Sequence, residues 1–226
     1  MINSDLISVI IPVKNGGKYL SQVLDAIVKQ GLNVEIIVVD DGSEDNTVEI
    51  AKEYGCKIIS HETSKGPVAA KNSALKVAKG KFILFHDSDD IMKEGALSKL
   101  YKEISSDDSI FAAEAKVQDF YSPDMPQDER ARTQIKTEPY WGLFTGAILM
   151  RREVFEIIGL FNESLHAGEI IDWQSKMETN GLKIKKIDYV STDRRIHSSN
   201  FGKTNKQAEF KDYAAILRAK LAAARR

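Results

Sequence analysis

Apolar, β-branched runs that stop abruptly at polar or acidic clusters constrain this chain more than any other feature. Leu6-Ile7-Ser8-Val9-Ile10-Ile11 gives way to Pro12 and Asn15-Gly16-Gly17. Residues 34–39 give way to Asp40-Asp41-Gly42-Ser43, and Phe82-Ile83-Leu84-Phe85 to His86-Asp87-Ser88-Asp89-Asp90. Near-continuous apolarity, without in-out alternation, marks strands buried on both faces, as in a parallel sheet. Helical periodicity lies between these runs. Tyr19, Leu20, Val23, Leu24, Ile27 and Val28 share one face, with Gly31 at the end. Helices are also predicted at 46–54 and 68–78, closed by Gly55 and Gly80, with a short strand at 57–60. Alternation at this pitch predicts βαβ units, and such sheets place their ligand crevice at the strand carboxyl ends. The polar clusters fall there.

The second half is less regular. Helical patterns at 94–104, 152–158 and 170–179 alternate with extended ones at 110–120, 147–150 and 182–190. Residues 122–138 carry Pro123, Pro126 and many charges, and read as a mobile loop. A helix is expected again from about residue 207. No repeat and no long linker divides the 226 residues, so one domain is expected.

Composition excludes several classes. With 42% hydrophobic and 29% charged residues the chain is an ordinary globular protein. Its 32 basic and 33 acidic residues give a net charge of −1, and no nucleic-acid partner is expected. Cys56 is the single cysteine, which excludes an internal disulfide and a cysteine-based zinc cage; it reads as a small buried residue. The apolar run at 6–13 is far short of the roughly 20 residues of a membrane span and lacks a signal-peptide pattern. A cytoplasmic protein is expected.

The sharpest chemical signal is the end of the fourth predicted strand, which delivers Asp87, Asp89 and Asp90 within four positions. Like charges this close repel, and burial makes each costlier. A divalent cation shared with substrate phosphates would relieve them; a solvated acidic turn is the plainer reading. Asp40-Asp41-Gly42-Ser43 reads on its own as a turn that caps the next helix. The first loop lacks both G-x-G-x-x-G and G-x-x-x-x-G-K-[ST], so dinucleotide binding and a P-loop are unsupported.

In order along the chain, these pieces resemble the family 2 glycosyltransferases of the GT-A fold. Residues 8–15 look like that family's opening strand, and Val38-Val39-Asp40-Asp41-Gly42-Ser43 like its second strand and turn. Gly66-Pro67-Val68-Ala69-Ala70-Lys71-Asn72 is similar to its A-A-R-N segment, with lysine for arginine. Asp87-Ser88-Asp89 resembles its D-x-D metal motif. Thr145-Gly146-Ala147, Gly159-Leu160-Phe161-Asn162-Glu163, Gly168-Glu169-Ile170-Ile171-Asp172-Trp173 and Arg195-Ile196-His197-Ser198-Ser199-Asn200 follow in the family's sequence.

The resemblance implies a single Rossmann-like α/β domain over 1–205, with a mostly parallel sheet flanked by helices and a small acceptor-side β element. Its nucleotide-binding half would be 1–90 and its acceptor half 91–205, followed by a basic C-terminal helix at 206–226. It implies an inverting transfer of a sugar from a nucleoside diphosphate sugar, UDP-linked by default, with Mg²⁺ or Mn²⁺. Pro12, Val13, Asn15, Asp40, Asp41, Lys71 and Asp87 would hold the nucleotide, and Asp87, Asp89 and His197 the metal. The acceptor would be a saccharide, a lipid-linked glycan or a peptide.

One departure matters. Where the family places its general base, this chain has Ile170, which takes no proton. Asp172 and then Glu169 are the remaining candidates. The rival reading is a non-catalytic nucleotide-sugar-binding or assembly module. Plainer readings attach to other residues. Trp141 and Trp173 could pack or stack on a sugar, His61 and His166 read as surface loops, and His86 as a cleft residue. The tail's basic residues outnumber Glu209 and Asp212, and Phe210, Tyr213, Leu217 and Leu221 form one stripe. That stripe would dock on its own domain, on a second copy as a homodimer, or on the inner face of a membrane as a peripheral contact.

Overall fold

The computed structural model describes residues 5–142, 144–165 and 168–200, together with Asp212, Tyr213, Ile216 and Arg218. Its elements run β1 (Ile7–Val13), α1 (Leu20–Val28), β2 (Val34–Asp40), α2 (Thr47–Glu53), β3 (Lys57–Ser60), α3 (Pro67–Leu75) and β4 (Phe82–Phe85). Then come β5 (Ile91–Met92), α4 (Ala96–Ser105), β6 (Ile110–Tyr121), α5 (Gln127–Arg132), β7 (Ile148–Arg151), α6 (Glu153–Ile158), α7 (Glu169–Thr179) and β8 (Lys183–Ile196).

Among the described residues one sheet contains every strand, in the order β3-β2-β1-β4-β7-β6-β8-β5. β1 lies between parallel partners, β2 and β4, which explains its apolarity on both faces. Ser8 is its polar exception, and it is fully buried. Its hydroxyl donates to Glu35 and accepts the Gly80 N–H at 2.8 Å. β7 joins the halves by pairing antiparallel with β4 and with β6. β8 runs parallel to β6, with register irregularities at Ala115–Val117.

Two apolar layers cover the sheet. One packs α1 and α4 against Ile7, Val9 and Ile11. The other packs α3, α6 and α7 against Ile10, Ile83 and Phe85, and Trp173 lies in it, 2% exposed. The strand–helix reading of the first half therefore holds, and the mostly parallel α/β domain is observed.

Some expectations need correction. Residues 122–138 are not a featureless loop. Pro126 opens α5, Ser122 and Met125 are buried, and the Arg130 guanidinium donates to the carbonyls of Ser122, Pro123 and Met125. Trp173 is core and offers no sugar platform. His61 is buried rather than on a surface loop. Cys56 is half-buried, and desolvation pushes its thiol up to about 11, which makes it inert at neutral pH. Among the described residues no helix is long and apolar enough to cross a membrane. His166, Phe210, Leu217 and Leu221 lie outside the described residues. Of the tail, Asp212 and Ile216 are buried, which lends no support to a membrane-facing role.

Candidate functional site

The carboxyl ends of β1, β2 and β4 open into a cavity of about 720 Å³, closed on its far side by the start of α7 and the end of β8. The first wall is two turns stitched together. Asn15, at φ 54°, donates its N–H to Ser43 Oγ at 2.8 Å, and its side-chain oxygen accepts the Glu44 N–H. The Gly16 N–H reaches Thr47 Oγ1 and the Gly17 N–H reaches Asp45 Oδ2, both at 2.9 Å. A Cβ on Gly16 would stand 2.3 Å from Val13, and one on Gly17 would stand 2.0 Å from Asn46. At Gly16, against the branched Val13 side chain, only glycine permits this approach.

Pro12, Val13 and Asn15 line the cavity, as does Asp41. Asp40 is buried behind it, where Oδ1 accepts the Ser43 N–H at 2.9 Å. Asp41 accepts from Ser64 Oγ at 2.6 Å and from the Lys65 and Gly66 N–H groups, each at 2.8 Å. His61 Nδ1 lies 2.6 Å from its other side. Burial pushes this carboxyl upward, but the hydrogen bonds outweigh it and hold Asp41 below the usual carboxylate range.

The second wall is acidic. Asp87, Ser88, Asp89 and Asp90 follow β4 into the cavity. His197, delivered by the end of β8, places Nε2 at 2.8 Å from Asp89 Oδ2 although 108 residues separate them. Asn200 Nδ2 joins the same oxygen at 3.3 Å. Arg195 braces the turn from behind: its N–H donates to Asp90 Oδ1 and its Nε to the Asp89 carbonyl, both at 2.8 Å. Burial pushes Asp87 and Asp90 upward, and neighbouring carboxylates add to it. His86 is fully buried behind the turn and does not line the cleft. Its Nδ1 meets the Asp87 carbonyl at 2.9 Å, and its Nε2 finds no partner among the described residues.

This donor set suits a hard divalent ion. It offers crowded, desolvated carboxylates and one imidazole, all facing the cavity. Among the described residues no three His, Cys, Asp or Glu side chains form a ready cage. A cation that keeps waters and completes its shell with substrate phosphate needs only one or two protein carboxylates.

The third wall carries the charges left around Ile170. Lys71 is buried and donates to Glu169 Oε1 at 2.5 Å and to Thr145 Oγ1 at 3.2 Å. Burial works against its charge, but Glu169 and Asp87 keep its pKa raised. Glu169 is the mirror case: burial pushes it up, and Lys71 brings it below the usual range. Glu169 and Ile170 line the cavity. Asp172 is absent from its lining and pairs with Lys176 at 2.8 Å, one turn along α7.

Some cavity residues carried no sequence signal. Tyr19 was legible only as helix core, yet its ring lies 5.2 Å from that of His197, and its hydroxyl lies 3.2 Å from Ser122 Oγ. Arg194 faces the cavity over the Phe144 ring and pairs with Asp119 at 3.5 Å. Trp141, which the sequence did single out, is absent from the cavity lining and exposed, with the Lys116 ammonium 4.3 Å from its ring.

The family model described as Glycosyl transferase family 2 matches residues 8–159. Glycosyltransferase GlyG of Streptococcus pneumoniae serotype 4 is 42% identical over 112 residues, covering 47% of this chain and 37% of that protein. The poly(ribitol-phosphate) beta-glucosyltransferase of Bacillus spizizenii is 42% identical over 113 residues, covering 45% of this chain and 18% of that one. This chain thus spans less than half the length of these two relatives. S. aureus TarS 1–349 in complex with UDP-GlcNAc superposes with a TM-score of 0.69 at 26% identity, covering 86% of this chain and 59% of that one. The mannosyltransferase PcManGT from Pyrobaculum calidifontis, 18% identical with a TM-score of 0.69 and covering 90% of this chain and 61% of that one, shares the fold.

Proposed function

The chain belongs to glycosyl transferase family 2, and from that premise we propose that it moves a sugar from a UDP-sugar to a hydroxyl acceptor with inversion at the transferred carbon. The observation that carries this reading is the meeting of the β4 carboxylates with His197 at the mouth of the nucleotide-side turns. The UDP-GlcNAc bound by TarS makes that donor the first to test.

In this reading Pro12, Val13, Asn15 and Asp41 hold the nucleotide. Asp87, Asp89 and His197 would hold Mg²⁺ or Mn²⁺, which when bound supplies positive charge against the leaving diphosphate. Lys71, charged and buried beside Asp87, adds a fixed cation to the same region. The acceptor oxygen bonds to the anomeric carbon as the bond to the diphosphate oxygen breaks, and the hydroxyl proton passes to a carboxylate. Glu169 is the better base on geometry, because it faces the cavity and Asp172 does not. This reverses the order expected from sequence. The acceptor is a polyhydroxyl compound, a saccharide or a polyol, and the poly(ribitol-phosphate) named for the relatives is a first probe.

A second reading is a donor-binding module without turnover. Ile170 favours it, as does the tie between Glu169 and Lys71. Thermal shift and nucleotide release with UDP-sugars and GDP-sugars, in Mn²⁺, separate the readings. We expect UDP-GlcNAc to raise the melting temperature and an acceptor to sustain UDP release, lost in Asp89→Ala. Binding without release supports the second reading, and no shift with any donor overturns both.

A further inference from the structure

The nucleotide turns and the acidic turn account for two walls of the cavity. The third wall, formed by Phe144, Thr145, the start of α7, Arg194 and Tyr213, holds the proposed base Glu169 but no group assigned to the acceptor's ring. Tyr213 is the outlier. It comes from the far end of the chain, more than forty residues beyond Gly168, yet its ring lies against that glycine. A Cβ on Gly168 would meet Tyr213 Cε1 at 2.8 Å and Ile216 Cδ1 at 3.2 Å. Gly168 also holds φ +79°, which a side chain would strain. Asp212 and Ile216 are buried, while Tyr213 is 41% exposed and lines the cavity. A partly exposed aromatic ring that lines a polar cavity has the form of a ligand platform.

Its neighbours define the ligand. Ile170 and Ile171 extend an apolar floor, while Glu169 and Arg194 stand at its edges. A sugar ring matches this pattern, with an apolar C–H face and a rim of hydroxyls. Trp173 cannot serve, being core. We propose that Tyr213 forms the acceptor subsite, stacking on the ring of the acceptor sugar so that its hydroxyl faces Glu169. The proposal rests on the glycosyltransferase reading, and it makes Tyr213 part of the site.

The test uses the full chain with Mn²⁺ and UDP, and two arms keep the readings apart. UDP thermal shift reports the donor site; its absence in the unmodified protein overturns the UDP-sugar reading and this proposal with it. Saturation-transfer NMR then follows methyl β-D-glucopyranoside and methyl β-N-acetylglucosaminide. We expect transfer to one of them in the unmodified protein and in Tyr213→Phe, and an affinity lower by about tenfold in Tyr213→Ala with UDP binding unchanged. Equal saccharide binding in Tyr213→Ala overturns the proposal, as does the absence of saccharide binding in a protein that binds UDP. Loss of UDP binding in Tyr213→Ala, in a variant that melts like the parent, overturns it too, because the ring would then serve the donor.

Discussion

At the residue scale, Glu169 and Asp172 are one helical turn apart and differ in their partners. Glu169 sits against a buried ammonium, and removing its charge leaves Lys71 desolvated beside a neutral group. We expect Glu169→Gln to cost about 3–5 kcal/mol of stability. It should also lose about 10²-fold or more in turnover with UDP-GlcNAc binding retained. Asp172→Asn breaks only a part-exposed pair within one helix and should cost about 0.3–0.5 kcal/mol, with turnover near that of the parent. Chemical denaturation and initial rates at saturating donor check both. Equal turnover losses would sink the assignment of Glu169. The motif positions were legible because each residue type appears in the expected order. The partners were not, since lysine at 71 and glutamate at 169 are 98 residues apart and only the fold brings them together.

The element scale shows how a turn becomes rigid. The segment from His61 to Gly66 leads into α3 and carries Ser64 and Gly66 to the cavity, and Asp41 holds it at four points. Replacing one carboxylate oxygen by an amide leaves donor facing donor. Asp41→Asn should therefore cost about 2–3 kcal/mol. The pH dependence follows from the sign of the shift. Asp41 is held below its ordinary value of 3.8, so its contribution is complete above that pH and is lost as pH falls through the lower folded value. Denaturation curves at pH 6 and pH 3 should show the variant's deficit shrinking in acid; a constant deficit would assign the loss to packing. Sequence placed both Asp40 and Asp41 on the nucleotide, but of the two only Asp41 lines the cavity. Strand alternation sends Asp40 and Asp41 to opposite sides, and a helix-cap pattern reads the same for either. The α5 turn was hidden for another reason. Its polar sequence buries no side chain of its own, and it is fixed through Ser122, Met125 and Arg130.

Across the whole molecule, the halves meet at β4, whose carboxyl end carries Asp87 and Asp89, and the chain returns to that point only with β8. The β4, β7, β6 and β8 order could not be read from local pattern, because β8 alternates weakly and extends to Ile196. That extension puts His197 on Asp89. The site is thus complete only when both halves are folded, so a ligand that bridges them should stabilise the whole domain. UDP with Mn²⁺ at a hundred times its dissociation constant should add about 2.7 kcal/mol, since binding to the folded state alone contributes RT ln(1 + [L]/Kd). For a domain of this size that corresponds to about 5–10 °C in melting temperature. Chelation should remove most of the gain. His197→Ala should behave like the chelated protein, keeping the smaller shift due to nucleotide without metal, because the turn contacts at Asn15 and Asp41 are intact. If EDTA leaves the UDP shift unchanged, the carboxylate–imidazole pair is a structural brace across the halves, and the nucleotide is held by the turns alone.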